Sequence, residues 1–315
     1  MKPIENAAVV GSGTMGHGIA LGCALGGKPV ALIDVKQDFL RNAEQKIKSA
    51  VQTLVECGWL TAEKSASVLG NITYTDSLVE GAKSADIVIE AIPERFEMKE
   101  ELFKNLDNIC GPDTIYATNT SSLPVSPLAA ICSRPDRVCG AHYFMPAHLI
   151  PLVEVVQGEQ TSEETIQRVM AYMTAIGKHP VWVKTDLPGF IANRLQLAMG
   201  REALSLAQKG IASAEDIDNV AKKSFALRLL FTGPIEQRDV NGIDTHVNVT
   251  GYLYPHLEDT KEPVKILVDK AKAGDLGMKT GKGFYDWTDK DVSREMANKD
   301  KKLLALMQFL RTLDE

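Results

Sequence analysis

The chain has 315 residues, about twice the length of a common single domain, so two domains are expected. Its 44% hydrophobic and 24% charged residues are typical of a globular protein, and its net charge of −6 offers no basic surface to nucleic acid or to a membrane. Because no apolar run is long enough to span a bilayer and the N-terminus lacks a signal-peptide core, the sequence predicts a cytoplasmic protein.

The cysteine pattern argues against two further kinds of protein. The five cysteines are scattered, without a Cys-x-x-Cys pair, at positions 23, 57, 110, 132 and 139. This spacing is typical neither of a disulfide framework nor of a zinc site, so no bound metal is expected. We expect Cys139, inside an apolar strand, to be a buried small hydrophobic residue rather than a nucleophile.

The first predicted element is a strand that ends in a glycine-rich turn. Residues 7–10 are apolar, and the turn that follows contains Gly11, Gly13, Thr14, Met15 and Gly16. In a dinucleotide-binding unit the first glycine permits a tight turn, the second lets the backbone approach a pyrophosphate, and the third lets the helix pack on the strand. A helix that begins near Thr14 directs free N–H groups at the phosphates. For the turn alone, an ordinary glycine-rich loop is the alternative.

The second predicted strand supports a dinucleotide-binding role for the glycine turn. It ends at Asp34, which follows Gly16 by 18 residues, close to the spacing of a carboxylate that binds the adenine ribose. A 2′-phosphate would meet this carboxylate and apolar Val35, with only Lys36 nearby. The sequence therefore favours NAD over NADP, against the alternative of a solvated aspartate at a strand end.

The remaining elements predict two domains. After Asp34 two amphipathic helices, 37–57 and 61–69, predict a helical hairpin inserted into the nucleotide-binding unit. Strands are predicted at 71–74, 85–91, 114–118, 137–142, 151–156 and 180–184, with helices at 77–82, 97–110 and 162–176. From residue 190 onward the periodicity is almost entirely helical, at 191–209, 213–222, 235–247 and 263–273.

The predicted fold class is therefore α/β. An N-terminal Rossmann-type doubly wound sheet with the hairpin occupies residues 1–185, and an all-α domain for substrate binding and dimerisation occupies residues 186–315. The apolar faces of the second domain exceed what one small bundle hides, so we expect a homodimer through it.

Two residues on neighbouring predicted strands are candidates for chemistry. His142 closes one apolar strand, and Glu154 lies in the middle of the next. A carboxylate in such a strand requires a partner, and a histidine is the natural one. The pair would fix the tautomer of His142 so that its second nitrogen can take a proton. The alternative is a hydrogen-bonded histidine of the core.

Eight short blocks mark the chain from the glycine turn to the C-terminal region, at residues 11–16, 90–94, 119–123, 142–146, 152–155, 188–194, 233–236 and 279–285. In this order they resemble the 3-hydroxyacyl-CoA dehydrogenase family over essentially the whole chain. Together the blocks are far more specific than the glycine turn alone.

The resemblance implies a role for each matching residue. His142 is the expected catalytic base and Glu154 orients it, while Ser121 and Asn193 hold the oxygens of the substrate. The expected cofactor contacts outside the glycine turn and Asp34 are Glu94, Lys99 and Asn119. The implied reaction removes a proton from a 3-hydroxyl as the carbon gives hydride to NAD⁺. The alternatives are that Ser121 only caps the following segment and that Asn193 only bonds the hinge.

Two departures from the family concern the substrate. Met145 replaces the usual asparagine before the proline in the histidine block, and the hairpin turn, 56–64, has one lysine where typical members carry several suited to coenzyme A phosphates. The main expectation is a 3-hydroxyacyl-CoA substrate, whose coenzyme A would then be held by other residues such as Lys46 or Lys48. The alternative is a small free hydroxy acid or alcohol, as in the gulonate and carnitine dehydrogenases and a pyridine-alcohol enzyme, with Arg228 and Arg238 as candidates to bind a carboxylate. A non-catalytic NAD-binding protein is a further alternative.

Overall fold

The computed structural model describes residues 1–313, apart from the side chain of residue 293. Residues 7–183 contain one eight-stranded sheet with the strand order β3-β2-β1-β4-β5-β6-β7-β8. Neighbouring strands are parallel except for β6 and β7, which pair antiparallel. The strands are β1 (Ala7–Val10), β2 (Val30–Ile33), β3 (Ile72–Thr75), β4 (Ile87–Glu90), β5 (Ile115–Thr118), β6 (Val138–Tyr143), β7 (Leu152–Val156) and β8 (His179–Val183).

The inner strands are apolar on both faces because helices cover both sides of the sheet. Within β1, Val9 belongs to one buried apolar cluster, whereas Ala8 and Val10 belong to the cluster on the opposite side. This arrangement produces the continuous apolar runs that the sequence shows. The helices here are α1 (Gly16–Leu25), α2 (Gln37–Glu56), α3 (Ala62–Gly70), α4 (Leu78–Ala82), α5 (Phe96–Ile109), α6 (Val125–Ala129) and α7 (Glu163–Ala175), with a 3₁₀ turn at Pro135–Arg137.

The rest of the chain is helical, as predicted, which confirms the fold class. The helices are α8 (Ala192–Gln208), α9 (Ala214–Lys223), α10 (Phe225–Leu229), α11 (Glu236–Asn241), α12 (Ile243–Leu253), α13 (Lys265–Lys272) and α14 (Val292–Arg311), with a 3₁₀ turn at Tyr254–His256. The helix expected at 235–247 is broken in two at Gly242, which has a φ of +90° that ordinary side chains rarely adopt. Helices α10 and α14 were not among the predicted helices. No helix of residues 1–313 combines the length and apolarity needed to cross a membrane.

The chain divides into two compact units. The first comprises Met1–Asn193 together with Met296–Glu315, and the second comprises Arg194–Glu295. The C-terminal helix α14 thus groups with the sheet, whereas the sequence placed residues 186–315 together. The difference arises because local periodicity identifies a helix but not its packing partner.

Helix α14 packs on the helical hairpin of the first unit. Leu304 is 1% exposed and lies in one apolar cluster with Leu54 and Leu149. Polar contacts extend this packing: Gln308 donates its side-chain N–H to the Cys57 carbonyl at 2.9 Å. At the end of α2, the Lys301 ammonium also pairs with the Glu56 carboxylate at 3.1 Å.

Candidate active site

The glycine-rich turn has the close contacts that its glycines permit. A Cβ on Gly16 would lie 1.7 Å from the Gly11 carbonyl oxygen, and a Cβ on Gly11, where φ is +98°, would lie 2.6 Å from the Ala91 oxygen. Apart from Gly13 and its two chain neighbours, the described residues place no atom within 4 Å of the Cβ position of Gly13, so the space above it is open. This geometry fits a pyrophosphate that approaches the backbone at Gly13. Helix α1 begins at Gly16, slightly later than predicted.

Asp34 lies at the end of β2 with its carboxylate held beside the turn. One carboxylate oxygen accepts hydrogen bonds from the backbone N–H and the hydroxyl of Ser12, both at 2.7 Å, and the other accepts the N–H of Val35 at 2.7 Å. The turn and Asp34 line a cleft of about 740 Å³. The cleft opens at the carboxyl ends of β1 and β4, where the strand order reverses and doubly wound sheets bind nucleotides. The residues present therefore fit NAD.

A buried ion network lies under this cleft. The Lys99 ammonium, 1% exposed, lies 2.7 Å from each carboxylate oxygen of Glu90 and 3.0 Å from the Glu94 carboxylate. Glu90 also accepts the hydroxyl of Thr118 at 2.6 Å. Lys99, predicted as a cofactor contact, is therefore placed beneath the cleft and reaches its lining through Glu94.

Glu94 is held in one orientation by groups that follow β5. Its carboxylate accepts hydrogen bonds from the Thr120 hydroxyl, from the N–H groups of Ser121 and Ser122 at 3.1 Å, and from the Ser122 hydroxyl at 3.0 Å. Burial alone would raise the pKa of Glu94, but these bonds and Lys99 outweigh it and lower the pKa to about 2. Since this folded-state pKa is depressed, the network stabilises the fold above about pH 4.5, and the stabilisation is lost as the pH falls through about 2.

The predicted pair of His142 and Glu154 is in contact. The antiparallel register places the two residues directly opposite each other, and His142 Nδ1 lies 2.7 Å from the Glu154 carboxylate. His142 is 4% and Glu154 1% exposed, and His142 lines the cleft. The rings of Phe144 and Phe190 pack on the imidazole, with centroids 4.5 and 5.5 Å away.

The second oxygen of Glu154 binds the backbone where α8 begins. It accepts the N–H groups of Ile191 and Ala192 at 2.9 and 2.8 Å. Burial would raise the pKa of Glu154, but the bonds from His142 and from these two N–H groups outweigh it and keep the pKa below its usual value. Glu154 is thus an anion next to His142 at neutral pH.

The other predicted site residues lie around His142. Asn119 and Ser121 line the same cleft, and the Asn119 side-chain oxygen accepts the N–H of Tyr143 at 2.9 Å. The Asn193 amide donates to the Ser121 carbonyl at 3.4 Å, so Ser121 and Asn193 are neighbours. Met145 is 60% exposed and does not belong to the cleft lining.

Sequence reasoning missed the role of Glu90. The signal was present, because Glu90 is a carboxylate at the end of an apolar strand, as unusual as Glu154 in the strand 151–156. The N–H groups of Ile191 and Ala192 carried no such signal, because nearly every residue has a backbone N–H and the residue type does not show which ones bind a side chain.

Two family models match this chain. The NAD binding domain of 3-hydroxyacyl-CoA dehydrogenase matches residues 6–186, and the C-terminal domain of 3-hydroxyacyl-CoA dehydrogenase matches residues 189–287. Helix α14 lies beyond the second match.

Curated relatives cover nearly the whole chain. The 5-formyl-3-hydroxy-2-methylpyridine 4-carboxylate 5-dehydrogenase of Mesorhizobium japonicum is 33% identical over 98% of this chain and 98% of its own length. A probable 3-hydroxybutyryl-CoA dehydrogenase of Bacillus subtilis is 41% identical over 91% of this chain and 99% of its own length.

Solved structures similar to this chain also include a pyridine carboxylate dehydrogenase and a 3-hydroxybutyryl-CoA dehydrogenase. A crystal structure of 5-formyl-3-hydroxy-2-methylpyridine 4-carboxylic acid 5-dehydrogenase, described as an NAD⁺-dependent dismutase, has a TM-score of 0.91 at 32% identity, covering 98% of this chain and 99% of that one. The (S)-3-hydroxybutyryl-CoA dehydrogenase of Ralstonia eutropha has a TM-score of 0.75 at 37% identity, covering 90% and 99%.

The fold, the cleft and these relatives define an NAD-dependent oxidoreductase that acts on a CH–OH group. More specifically, the chain belongs to the 3-hydroxyacyl-CoA dehydrogenase family, since the two family models together match most of its length. The predictions of the family, of the activity and of NAD as the cofactor are confirmed.

Proposed function

We propose that this protein oxidises a small hydroxy compound that carries no coenzyme A. The observation that carries the proposal is the position of α14 on the hairpin turn. The family resemblance assigns coenzyme A phosphates to lysines of this turn, but the turn here has Lys64 alone among residues 56–64. The Cys57 carbonyl and the Glu56 carboxylate of the turn already bind side chains of α14.

The relatives support the same substrate class. The pyridine carboxylate dehydrogenase matches 98% of this chain, whereas the B. subtilis 3-hydroxybutyryl-CoA dehydrogenase matches 91% of it while using 99% of its own length. Part of this chain thus has no counterpart in that coenzyme A enzyme. A 3-hydroxyacyl-CoA substrate is the second candidate, favoured by the 41% identity to that enzyme.

The chemistry we assign to the site is the same for both substrates. Bound NAD⁺ supplies the hydride acceptor. Since Nδ1 of His142 is engaged by Glu154, the Nε2 atom takes the proton of the substrate hydroxyl, and Glu154 stabilises the imidazolium that results. Ser121 and Asn193, which are neighbours, orient the substrate oxygens. In the reverse direction the imidazolium returns the proton to the carbonyl oxygen.

The cofactor is assigned to the open turn and the strand ends. We place the pyrophosphate at Gly13 with Thr14 and Met15, the adenine ribose at Asp34, and the nicotinamide side at Glu94 and Asn119. Gly11 and Gly16 permit the turn, and Lys99 fixes Glu94. A non-catalytic NAD-binding role is not favoured, because His142 and Ser121 line one cleft while Glu154 and Asn193 contact them.

A substrate comparison tests the proposed function. With the full-length protein and NADH, we expect acetoacetate or a related free oxo acid to give saturable NADH oxidation and acetoacetyl-CoA to give at least about tenfold lower kcat/KM, a difference of about 1.4 kcal/mol. His142→Gln is the control: it should lose NADH oxidation if the turnover takes place at this site. Preferred turnover of acetoacetyl-CoA would assign the second candidate instead.

We also infer that the protein is a homodimer through residues 186–315. Within the described part of 194–295, only Ser205 and Val264 are buried. Large apolar side chains there are exposed instead, among them Leu197 at 70%, Phe231 at 63% and Ile235 at 79%. A second copy carries the same uncovered faces, and a symmetric interface would bury both sets at once.

Sedimentation tests the dimer. We expect the wild-type protein to sediment as two 34.3 kDa chains, and we expect Phe231→Asp to shift it toward the monomer. Lys261→Glu, an exposed substitution in the same unit, is the matched control. A wild-type monomer at micromolar concentration would contradict the inference.

A cytoplasmic location completes the proposal, because all five cysteines are free, as in a reducing compartment.

A further inference from the structure

A second cavity lies in the first unit, at the C-terminal end of α1, whereas the glycine turn precedes the N-terminal end of this helix. Its volume is about 390 Å³, within the range of small-molecule sites. One wall is formed by the last turn of α14 and by Trp59 of the hairpin turn, and another by Leu149 and Lys178. Among residues 1–313, none of those described lines both this cavity and the NAD cleft.

Lys178 is a buried cation without a carboxylate partner. It is 8% exposed, and within the described residues no acidic group lies within ion-pair distance of its ammonium. The ammonium donates to the carbonyls of Ala147 at 2.6 Å and Ile150 at 2.8 Å, which leaves one of its three donors for another acceptor. Burial lowers the pKa of Lys178 to about 8, so the group is mostly charged at neutral pH. A buried charge that is not neutralised is costly to keep.

The other polar side chains of the cavity add one cation and one neutral group. The guanidinium of Arg311 lines the cavity and lies 3.9 Å from the centre of the Trp59 ring. His148 also lines it, and burial, with the charges of His17 and Lys178, lowers its pKa to about 4, so it is neutral at pH 7. None of the lining residues that the structure describes is acidic.

The remaining surface of the cavity is apolar. Leu25, Ile176, Met307 and Leu310 line it together with the Trp59 ring. From this combination we propose that the cavity is a second ligand site, separate from the NAD cleft, that binds a small organic carboxylate with an aromatic or apolar body. The carboxylate pairs with Lys178 and Arg311, and the body packs against Trp59 and the aliphatic wall.

The site is connected to the segment that follows His142. The two carbonyls held by Lys178 belong to residues 144–151, between β6 and β7. A bound carboxylate would neutralise the ammonium that fixes this segment. The inference does not depend on the substrate proposed above.

Trp59 provides the reporter for a test with benzoate as the probe. We titrate benzoate into the full-length protein saturated with NAD⁺ and follow tryptophan fluorescence. The expected result is a saturable change that is absent with the uncharged benzamide, absent in Trp59→Phe, and unaffected by NAD⁺. Lys178→Met and Arg311→Gln should each weaken benzoate binding by about tenfold, because each removes a charge-assisted hydrogen bond.

Lys178 directly precedes β8, and the exposed Lys184 directly follows it. Lys184→Met is therefore the matched control and should bind benzoate as the wild type does. If Lys178→Met does not fold by circular dichroism, the exposed Arg311→Gln decides the question. The inference is overturned if benzoate gives no saturable change, if benzamide binds equally well, if NAD⁺ displaces benzoate, or if every folded charge variant keeps wild-type affinity.

Discussion

His142→Gln is expected to lower kcat for the NAD-dependent oxidation by about 10²–10⁴-fold, because the amide cannot take the proton of the substrate hydroxyl. NADH binding should stay within about twofold of the wild type, since the substitution removes no proposed cofactor contact. Steady-state kinetics and NADH fluorescence titration measure the two quantities. The glycine turn and Asp34 are unchanged in this variant, so a loss of NADH binding would point to misfolding instead of lost chemistry.

The matched control for this variant is His179→Gln, which changes an exposed histidine on β8 of the same sheet and should keep full activity. Glu154→Gln should also lower kcat, because an amide cannot stabilise the imidazolium as a carboxylate does. Full activity in His142→Gln would exclude the proposed mechanism, whatever the substrate.

Lys99→Met is expected to lower the free energy of unfolding by about 3–5 kcal/mol, because it leaves the buried Glu90 carboxylate without its cation. The same change removes one of the groups that hold Glu94, so weaker NAD binding should accompany the loss of stability. Urea unfolding followed by circular dichroism measures the first effect and NADH titration measures the second.

A double variant separates the cost of the unpaired charge from the cost of lost packing. In Glu90→Gln with Lys99→Met both partners are neutral, so the loss should be smaller than in Lys99→Met alone. Lys104→Met, on the exposed face of the same helix, should change stability by less than about 0.5 kcal/mol. A cost below about 1 kcal/mol for Lys99→Met would contradict the buried network.

Much of the site followed from the sequence because burial constrains charged residues. A glutamate in an apolar strand requires a partner, and this reasoning predicted the pair of Glu154 and His142, which the structure places 2.7 Å apart. The roles of the glycine turn and Asp34 could equally be predicted from the sequence, because their spacing follows from one strand, one turn and one helix. These signals are local, or they join adjacent strands.

The contacts that sequence could not predict join segments far apart in the chain. The backbone N–H groups of Ile191 and Ala192, which bind Glu154 from 37 and 38 residues away in the chain, have no local signature. Lys99 matched a cofactor-binding position, yet its ammonium lies beneath the cleft, because the side chain extends from α5 toward Glu90.

The sequence by itself determined the nucleotide-binding unit, the preference for NAD and the contact between His142 and Glu154, because each rests on short-range geometry or on the cost of an unpaired buried charge. The tertiary structure decided where α14 packs, and with it the contacts on the hairpin turn and the second cavity beside Trp59 and Lys178. Helical periodicity states only that a helix has an apolar face. Which surface that face covers depends on long-range packing, which the order of residues along one helix does not specify.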